Sequence, residues 1–188
     1  MQPARVACAS KPHRISNNMK HKTEYIDTME VEGMGDLTET LVKINRSAAV
    51  VKGGRRFSFS SLSVIGNREG IVGYGFGKAR QVPNAIEKAA KDGRKHLQRV
   101  PVSKGGSIPH EVIGRYCGAQ ILMIPASSGT GIIACSSVRA VCEMAGITNI
   151  LTKSYGSTNP INLVKATLAA LAQLRTREQV ASLRGVEL

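Results

Sequence analysis

The sequence predicts an α+β protein built from two consecutive domains, a βββα unit followed by an α/β unit. Three observations lead to this prediction. Residues 41–46 alternate apolar and polar side chains, as a half-buried strand does. Residues 73–77 alternate glycine with aromatic residues, which indicates a strand with one nearly bare face. Residues 83–99 then carry apolar side chains at helical spacing.

The first two strands are predicted on either side of a glycine pair. The strand that starts at Leu41 continues to Val51, and the segment 52–56, Lys-Gly-Gly-Arg-Arg, turns the chain. The alternation of the second strand changes phase after Phe59, so we expect a β-bulge near Ser60.

The third strand and the helix complete the first unit, residues 38–100. Residues 67–70, Asn-Arg-Glu-Gly, predict a hairpin connection into a strand over 71–76. The helix is expected from Pro83 to Arg99. Its predicted inward face comprises Ile86, Ala89, Ala90, Gly93 and Leu97. Its predicted outward face comprises Lys88, Lys91, Arg94, Lys95 and Arg99.

The second unit is expected over residues 108–175, after a glycine-containing linker at 101–107. Strands are predicted at 111–118, 119–124 and 149–153, with a glycine-rich loop at 125–131. One helix is expected over 136–145, ended by Gly146, and another from the Asn159-Pro160 pair. The predicted buried residues of the last helix are Val164, Leu168, Leu171 and Leu174.

Both ends of the chain are expected to lie outside these units. Residues 1–37 show neither a helical nor a strand period, and residues 176–188 form a charged tail. The acid-poor start fits an organellar transit peptide or a flexible basic tail. The tail is favoured because no amphipathic stripe is present.

The charge predicts a polyanionic partner. The chain has 26 Lys and Arg against 13 Asp and Glu, a net charge of +13. Residues 38–102 hold 13 of the basic residues and only four acids, so the contact is expected there. Nucleic acid and an anionic membrane surface both fit such a charge. No apolar run approaches the roughly 18 residues that a membrane span needs.

Two basic clusters are the candidate contacts. Lys88, Lys91, Lys95 and Arg99 would share one helix face, with Arg94 beside them. Lys52, Arg55 and Arg56 surround Gly53 and Gly54, whose bare backbone can approach phosphate. Lys78 and Arg80 could extend the same surface. A solvated helix face and a plain surface turn are the alternatives, and strands with basic side chains also fit RNA recognised by shape.

Metal and disulfide chemistry are not expected. The cysteines, Cys8, Cys117, Cys135 and Cys142, form no Cys-x-x-Cys pair and have no His at ligand spacing. We interpret them as buried thiols in a reducing cytosol. No cofactor is predicted.

Catalytic motifs are scarce. No nucleotide-binding Gly-x-x-x-x-Gly-Lys loop and no Gly-x-Ser-x-Gly turn occurs, and the four His residues do not cluster with nucleophiles. The loop at 125–131 faintly resembles the phosphate loop of small-molecule kinases of the galactokinase type. A kinase also needs carboxylates for magnesium, and only four acids follow residue 103.

Several stretches closely resemble the bacterial small-subunit ribosomal protein S-five family, in order and spacing from about residue 38 to 174. They are Lys52–Arg55, Gly73–Arg80, Val82–Pro83 with Ala85–Ile86, Pro125–Ala134 and Tyr155–Asn162. The resemblance implies a double-stranded-RNA-binding-like N-terminal domain and a C-terminal α/β domain of the ribosomal superfold. It implies a non-enzymatic constituent of the small subunit on the cytoplasmic ribosome, with an organellar location less favoured.

The resemblance also implies partners and sites. The family binds small-subunit ribosomal RNA at the junction of body and head, contacts the S-four and S-eight proteins, lies near the messenger RNA entry path and supports decoding accuracy. RNA contacts would fall on Arg46, Lys52, Gly53, Gly54, Arg55 and Arg56 in a loop over 45–54. Protein contacts would fall on Arg115, Ser127, Ser128, Gly129 and Thr130. A free-standing RNA-binding protein and the kinase stay open as alternatives.

Overall fold

The computed structural model describes residues 37–103 and 105–185. Within these ranges the chain forms two four-stranded sheets and four helices, which confirms the predicted α+β class. The expectations for residues 1–36, including Cys8, and for residues 186–188 lie outside the described residues. No helix in the described ranges is long and apolar enough to cross a membrane.

The first sheet is antiparallel, in the order β1-β2-β3-β4. Its strands are β1 (Thr38–Val51), β2 (Gly54–Gly66), β3 (Ile71–Ala79) and β4 (Leu97–Arg99), and helix α1 (Val82–Gly93) follows β3. Both predicted turns are present. The Asn67 side-chain oxygen accepts hydrogen bonds from the Glu69 and Ile71 N–H groups, at 2.8 and 3.1 Å, and so closes the β2–β3 turn.

The prediction of a bulge near Ser60 was wrong. The irregularity lies on the partner strand, where Leu41 pairs with Ser63 but Lys43 pairs with Leu62. The phase change in β2 has another cause, because residues 61–66 are buried on both faces. Helix α1 covers one face of this part of β2, and the elements that accompany the second sheet cover the other. Apolar residues therefore occupy both faces of the strand.

The bare face of β3 lies against α1, as its glycines indicated. A side chain at Gly75 would overlap the Ala89 carbonyl, and one at Gly77 would overlap the Ala85 carbonyl. The helix backbone therefore packs directly on the strand backbone. Tyr74 and Phe76, on the opposite face, pack against the main core.

The predicted extent of the helix was wrong at its C-terminal end. The helix ends at Gly93, the chain turns over residues 94–96, and Leu97 begins β4. Leu97 is fully buried as predicted, but from a strand that pairs with β3. A strand residue and a helix residue can fill the same core position, so apolar spacing could not separate them. Ala89, Ala90 and Gly93 face inward as expected, while Ile86 is half-buried.

The second sheet has the order β5-β6-β8-β7. Its strands are β5 (Val112–Tyr116), β6 (Ala119–Pro125), β7 (Ile132–Ile133) and β8 (Ile150–Gly156). Helices α2 (Ser136–Ala145) and α3 (Pro160–Leu171) complete this layer. The predicted caps are confirmed: Gly146 ends α2 with φ of 81°, and the Asn159 side chain accepts from the Ile161 N–H. The short strand β7 was missed, but Val164, Leu168 and Leu171 are buried as predicted. Leu174, expected in the same helix, is also buried but lies just beyond the end of α3.

The charged tail contains a helix, α4 (Arg177–Arg184), which was not predicted. Thr176 and Gln179 form a reciprocal capping box at its start, and Gly185 ends it in the left-handed conformation. None of its residues is buried. Helical propensity and capping, rather than an apolar stripe, therefore define this element.

One apolar core connects the two sheets. Leu62, Val64 and Val72 of the first sheet belong to the same buried cluster as Val138 and Met144 of α2. Gly106, within the segment expected as a linker, is tied to the second layer: its carbonyl accepts from the Thr148 and Asn149 N–H groups, at 2.8 and 3.0 Å. The division of the chain into domains at this segment stays a prediction.

The expectation of buried thiols was wrong for two of the described cysteines. Cys142 is buried, and burial raises the pKa of its thiol to about 12. Cys117 lies exposed in the β5–β6 turn, and Cys135 lies exposed just before α2. Turn and cap positions bring side chains to the surface whatever their polarity.

Candidate nucleic-acid interface

The strongest candidate is a two-stranded arm, residues 46–58, that extends beyond the end of β3. Every residue of the arm is exposed. The resemblance implied a loop over 45–54, but the chain forms paired strands that meet at Lys52 and Gly53. Register pairing places Arg46, Arg55 and Phe57 on one face of the arm and Arg56 on the other. Cations thus occupy both faces and the tip.

The tip leaves its backbone open. Gly54 has φ of 135°, a conformation that side chains disfavour, so the turn requires glycine there. A side chain built at Gly53 or Gly54 would meet no described atom within 4 Å. The structure therefore brings Lys52, Arg55 and Arg56 around an accessible backbone turn, as the sequence predicted.

An aromatic ring on the arm was missed in the sequence. The Arg46 guanidinium carbon lies 4.9 Å from the centre of the Phe57 ring, which is within cation–π range. Phe57 and Val50 are 44% and 78% exposed, although both are large apolar residues. The strand register could have indicated this contact. It pairs Arg46 with Phe59 and Ala48 with Phe57, so Arg46 and Phe57 are diagonal neighbours on the same face.

The first unit has few acids to neutralise its cations. Lys91 bonds to Glu87 at 2.7 Å, and this bond with the Lys91 charge holds the pKa of Glu87 below its ordinary value. The Asp92 carboxylate accepts the Phe76 N–H at 3.1 Å. Among the described residues, the cations of the arm form no ion pair with a carboxylate.

The end of β3 adjoins the base of the arm. Lys78 pairs with Ser60 across the strands, and its ammonium group lies 5.5 Å from the centre of the Phe76 ring. Arg80 is exposed just before α1. Lys78 therefore lies beside the base of the arm, and the extension of the same contact surface to Lys78 and Arg80 stays a prediction.

The predicted basic helix face was wrong in part. Lys88 and Lys91 lie on the exposed side of α1. Arg94 is the C-cap, Lys95 lies in the following turn and Arg99 belongs to β4. The five side chains therefore do not share one helix face, because the helix ends at Gly93.

The predicted protein-contact residues are also separated. Arg115 pairs with Gln120 near the start of β6, whereas the loop 127–130 follows the other end of that strand. About five residues of strand, roughly 17 Å, lie between them. They form two surfaces and not one.

The loop 125–131 is not arranged to hold phosphate. The Gly129 and Gly131 N–H groups both donate to the buried Asn149 side chain, at 3.1 and 3.2 Å. Strand β7 separates the loop from α2, so the helix N-terminus does not follow it directly. The likeness to a kinase loop is therefore one of sequence only. In the described ranges, no group of three or more His, Cys, Asp or Glu side chains could hold a metal ion.

Comparison with known proteins agrees with this architecture. The family models "Ribosomal protein S5, N-terminal domain" and "Ribosomal protein S5, C-terminal domain" match residues 37–101 and 114–184. The small ribosomal subunit protein uS5 of Rhodopirellula baltica is 58% identical over 150 residues, covering 80% of this chain and 84% of the relative. Those of Psychromonas ingrahamii and Idiomarina loihiensis are 52% and 53% identical over 152 residues, covering 81% of this chain and 90% and 91% of the relatives. The chain belongs to the ribosomal protein S5 family.

Proposed function

We propose that this protein is a structural constituent of the small ribosomal subunit that holds ribosomal RNA with its arm and the adjoining end of β3. The family is a non-enzymatic one of the bacterial ribosome, and its location is the cytoplasmic ribosome. The exposed arm, whose cations have no described carboxylate partner, carries the proposal.

The exposed cations of the arm have no carboxylate partner among the described residues, so they are available to a polyanion. Each phosphate that they neutralise releases condensed counterions, which favours binding. The open glycine turn allows a sugar–phosphate backbone to approach the chain closely. We therefore assign the primary RNA contacts to Arg46, Lys52, Gly53, Gly54, Arg55, Arg56, Lys78 and Arg80.

The helix cations provide a second and weaker contact. Lys88 is exposed and has no described ion-pair partner, whereas Lys91 is shared with Glu87. Arg94 is the C-cap of the helix, Lys95 lies in the following turn and Arg99 belongs to β4. We keep all five as RNA contacts, with Lys88 as the main contributor on α1.

The position within the subunit is inferred from the family resemblance. We propose that the protein sits at the junction of body and head, beside the messenger RNA entry path, and supports decoding accuracy there. Arg115 would meet one neighbour of the S-four and S-eight pair, and Ser127, Ser128, Gly129 and Thr130 the other. The separation of these two surfaces along β6 supports two neighbours rather than one.

Salt dependence tests the arm. Replacement of Lys52, Arg55 and Arg56 by Ala should reduce the log–log salt slope of binding to small-subunit ribosomal RNA by about 0.7–0.9 for each phosphate that is no longer neutralised. Lys153→Ala with Arg139→Ala, on the second layer, is the control and should leave the slope unchanged. An unchanged slope in the triple variant would remove the arm as the contact.

Gradient sedimentation with small subunits separates a ribosomal constituent from a free-standing RNA-binding protein.

A further inference from the structure

The helix that the charged tail forms presents a basic face. Arg177, Val180, Ala181 and Arg184 are spaced by three and four residues, so they lie on one side of α4. The two arginines are two turns apart, about 10 Å along the helix. The capping box at Thr176 fixes the start of the helix and hence the position of Arg177.

This face forms one wall of a groove of about 380 Å³, whose opposite wall is Pro109 and His110. Arg175 also lines the groove, and its backbone N–H donates to His110 Nε2 at 3.2 Å. Since Nε2 accepts, Nδ1 carries the proton, and it lies 2.9 Å from the Glu111 carbonyl. Both ring nitrogens are engaged, so the His110 ring is held as a planar wall of the groove.

The groove is strongly cationic. The described residues that line it include three with guanidinium groups and none with a carboxylate. Among the described acids, Glu111 and Glu178 are the ones next to the groove residues in sequence, and they line neighbouring depressions instead. No described carboxylate forms an ion pair with Arg175, Arg177 or Arg184. Guanidinium groups that lack a carboxylate partner are suited to bidentate binding of phosphate.

We propose that this groove is an additional RNA contact, separate from the arm and from helix α1, in which Arg175, Arg177 and Arg184 bind phosphates of a sugar–phosphate backbone. Pro109, Val180 and Ala181 give the two walls apolar surface for a ribose or an unstacked base, beside the flat His110 ring. The groove is formed by a part of the chain that the arm does not include. The proposal rests on the proposed function only in taking ribosomal RNA as the ligand.

The test uses the full chain with Arg177→Gln and Arg184→Gln combined, and a protein-free transcript of small-subunit ribosomal RNA. The salt slope should fall by about 1.4–1.8 units, one phosphate for each arginine. Lys153→Gln with Arg139→Gln removes the same charge elsewhere and should leave the slope unchanged. Arg177→Lys with Arg184→Lys keeps the charge and should retain most of the slope. Circular dichroism melting checks that the variants fold.

Three outcomes would overturn the proposal. The slope of the groove variant could stay at the wild-type value, or the control could show an equal decrease. The variant could also bind RNA normally but fail to assemble with purified neighbouring proteins, which would assign the groove to a protein carboxylate. The arm variant, measured in parallel, separates the two sites. If only the groove variant lowers the slope, the arm proposal fails and the groove proposal stands.

Discussion

The Arg68 N–H donates to the Met144 carbonyl at 3.0 Å, joining the β2–β3 turn to the end of helix α2. The Gly70 N–H makes a second bond of this kind, 3.1 Å long, to the Ala145 carbonyl. Arg68 itself has φ of 59°, so the turn is held in a conformation that few side chains adopt. The first sheet thus joins helix α2 through main-chain hydrogen bonds as well as through the apolar core.

Gly146→Ala should separate the two sheets or unfold the protein. Gly146 has φ of 81°, and a side chain there would overlap the Arg68 carbonyl. The conformation alone costs about 1–2 kcal/mol for alanine, and the overlap adds to it. Gly185→Ala is the control, because Gly185 ends α4 with φ of 65° and has no described atom within 4 Å of a built side chain. Urea unfolding should show a larger loss of stability for Gly146→Ala, and equal losses would contradict the close approach to Arg68.

Gly75→Ala should displace α1 from the first sheet. The added methyl group would overlap the Ala89 carbonyl. This carbonyl belongs to the helix backbone, which cannot rotate away from the overlap as a flexible side chain could. We expect a decrease of about 1–3 kcal/mol or more in the free energy of unfolding. Gly53→Ala, at the open tip of the arm, should have little effect on stability. Thermal unfolding of both variants tests this, and a stable Gly75→Ala protein would contradict the close packing.

Two buried serines on β2 should respond differently to replacement by alanine. The Ser61 hydroxyl donates to the Ala85 carbonyl at 2.6 Å, so Ser61→Ala should lower the free energy of unfolding by about 0.5–1.5 kcal/mol. The Ser63 hydroxyl is buried and has no hydrogen-bond partner among the described residues. Ser63→Ala should therefore be neutral or stabilising by about 1 kcal/mol. Denaturant titration measures the free energy of unfolding of both variants. Equal destabilisation would contradict the view that only the Ser61 hydroxyl is hydrogen-bonded.

Lys165 links three parts of the fold, and its titration should reveal this. Its ammonium group donates to the Tyr116 hydroxyl at 3.2 Å and lies 5.0 and 5.6 Å from the Tyr116 and Tyr74 ring centres. The Tyr116 hydrogen bond raises the pKa of Lys165 above its ordinary value, against an opposing effect of burial. Tyr116→Phe should lower that pKa, as measured by NMR titration of the Lys165 Cε resonance.

The same shift sets a direction for the pH dependence of stability. The pKa of Lys165 is higher in the folded than in the unfolded protein, so its contribution is fully present below the unfolded value. The contribution disappears as the pH rises through the folded pKa. The stability difference between wild type and Tyr116→Phe should therefore be constant near neutrality and shrink in alkaline solution. A difference that grows with pH would contradict the sign of the shift.

Local chemistry made much of the fold predictable. Glycines that need a left-handed conformation, such as Gly54 and Gly146, marked the turn and the helix end. The Asn159-Pro160 pair marked the start of α3, and the alternating glycines of β3 indicated the close approach of α1. Each of these signals depends on a few neighbouring residues.

The errors came from long-range contacts. Leu97 belongs to β4 because it pairs with Gly73 at the edge of β3. The helical spacing of apolar residues does not reveal this strand pairing. The bulge at Val42 follows from strand register, and the burial of both faces of residues 61–66 follows from the second layer. The arginine groove joins Pro109 to residues some 70 positions later, so no local pattern could predict it.

Strand β1 is an edge strand of 14 residues, and all of them except Thr40 and Val42 are exposed. Such an edge offers unsatisfied peptide groups to which another copy could add a strand. Lys52, Arg55 and Arg56 repel a second arm that carries the same charges. Before assembly, these cations therefore protect the free protein from self-association, and concentrated salt should weaken that protection.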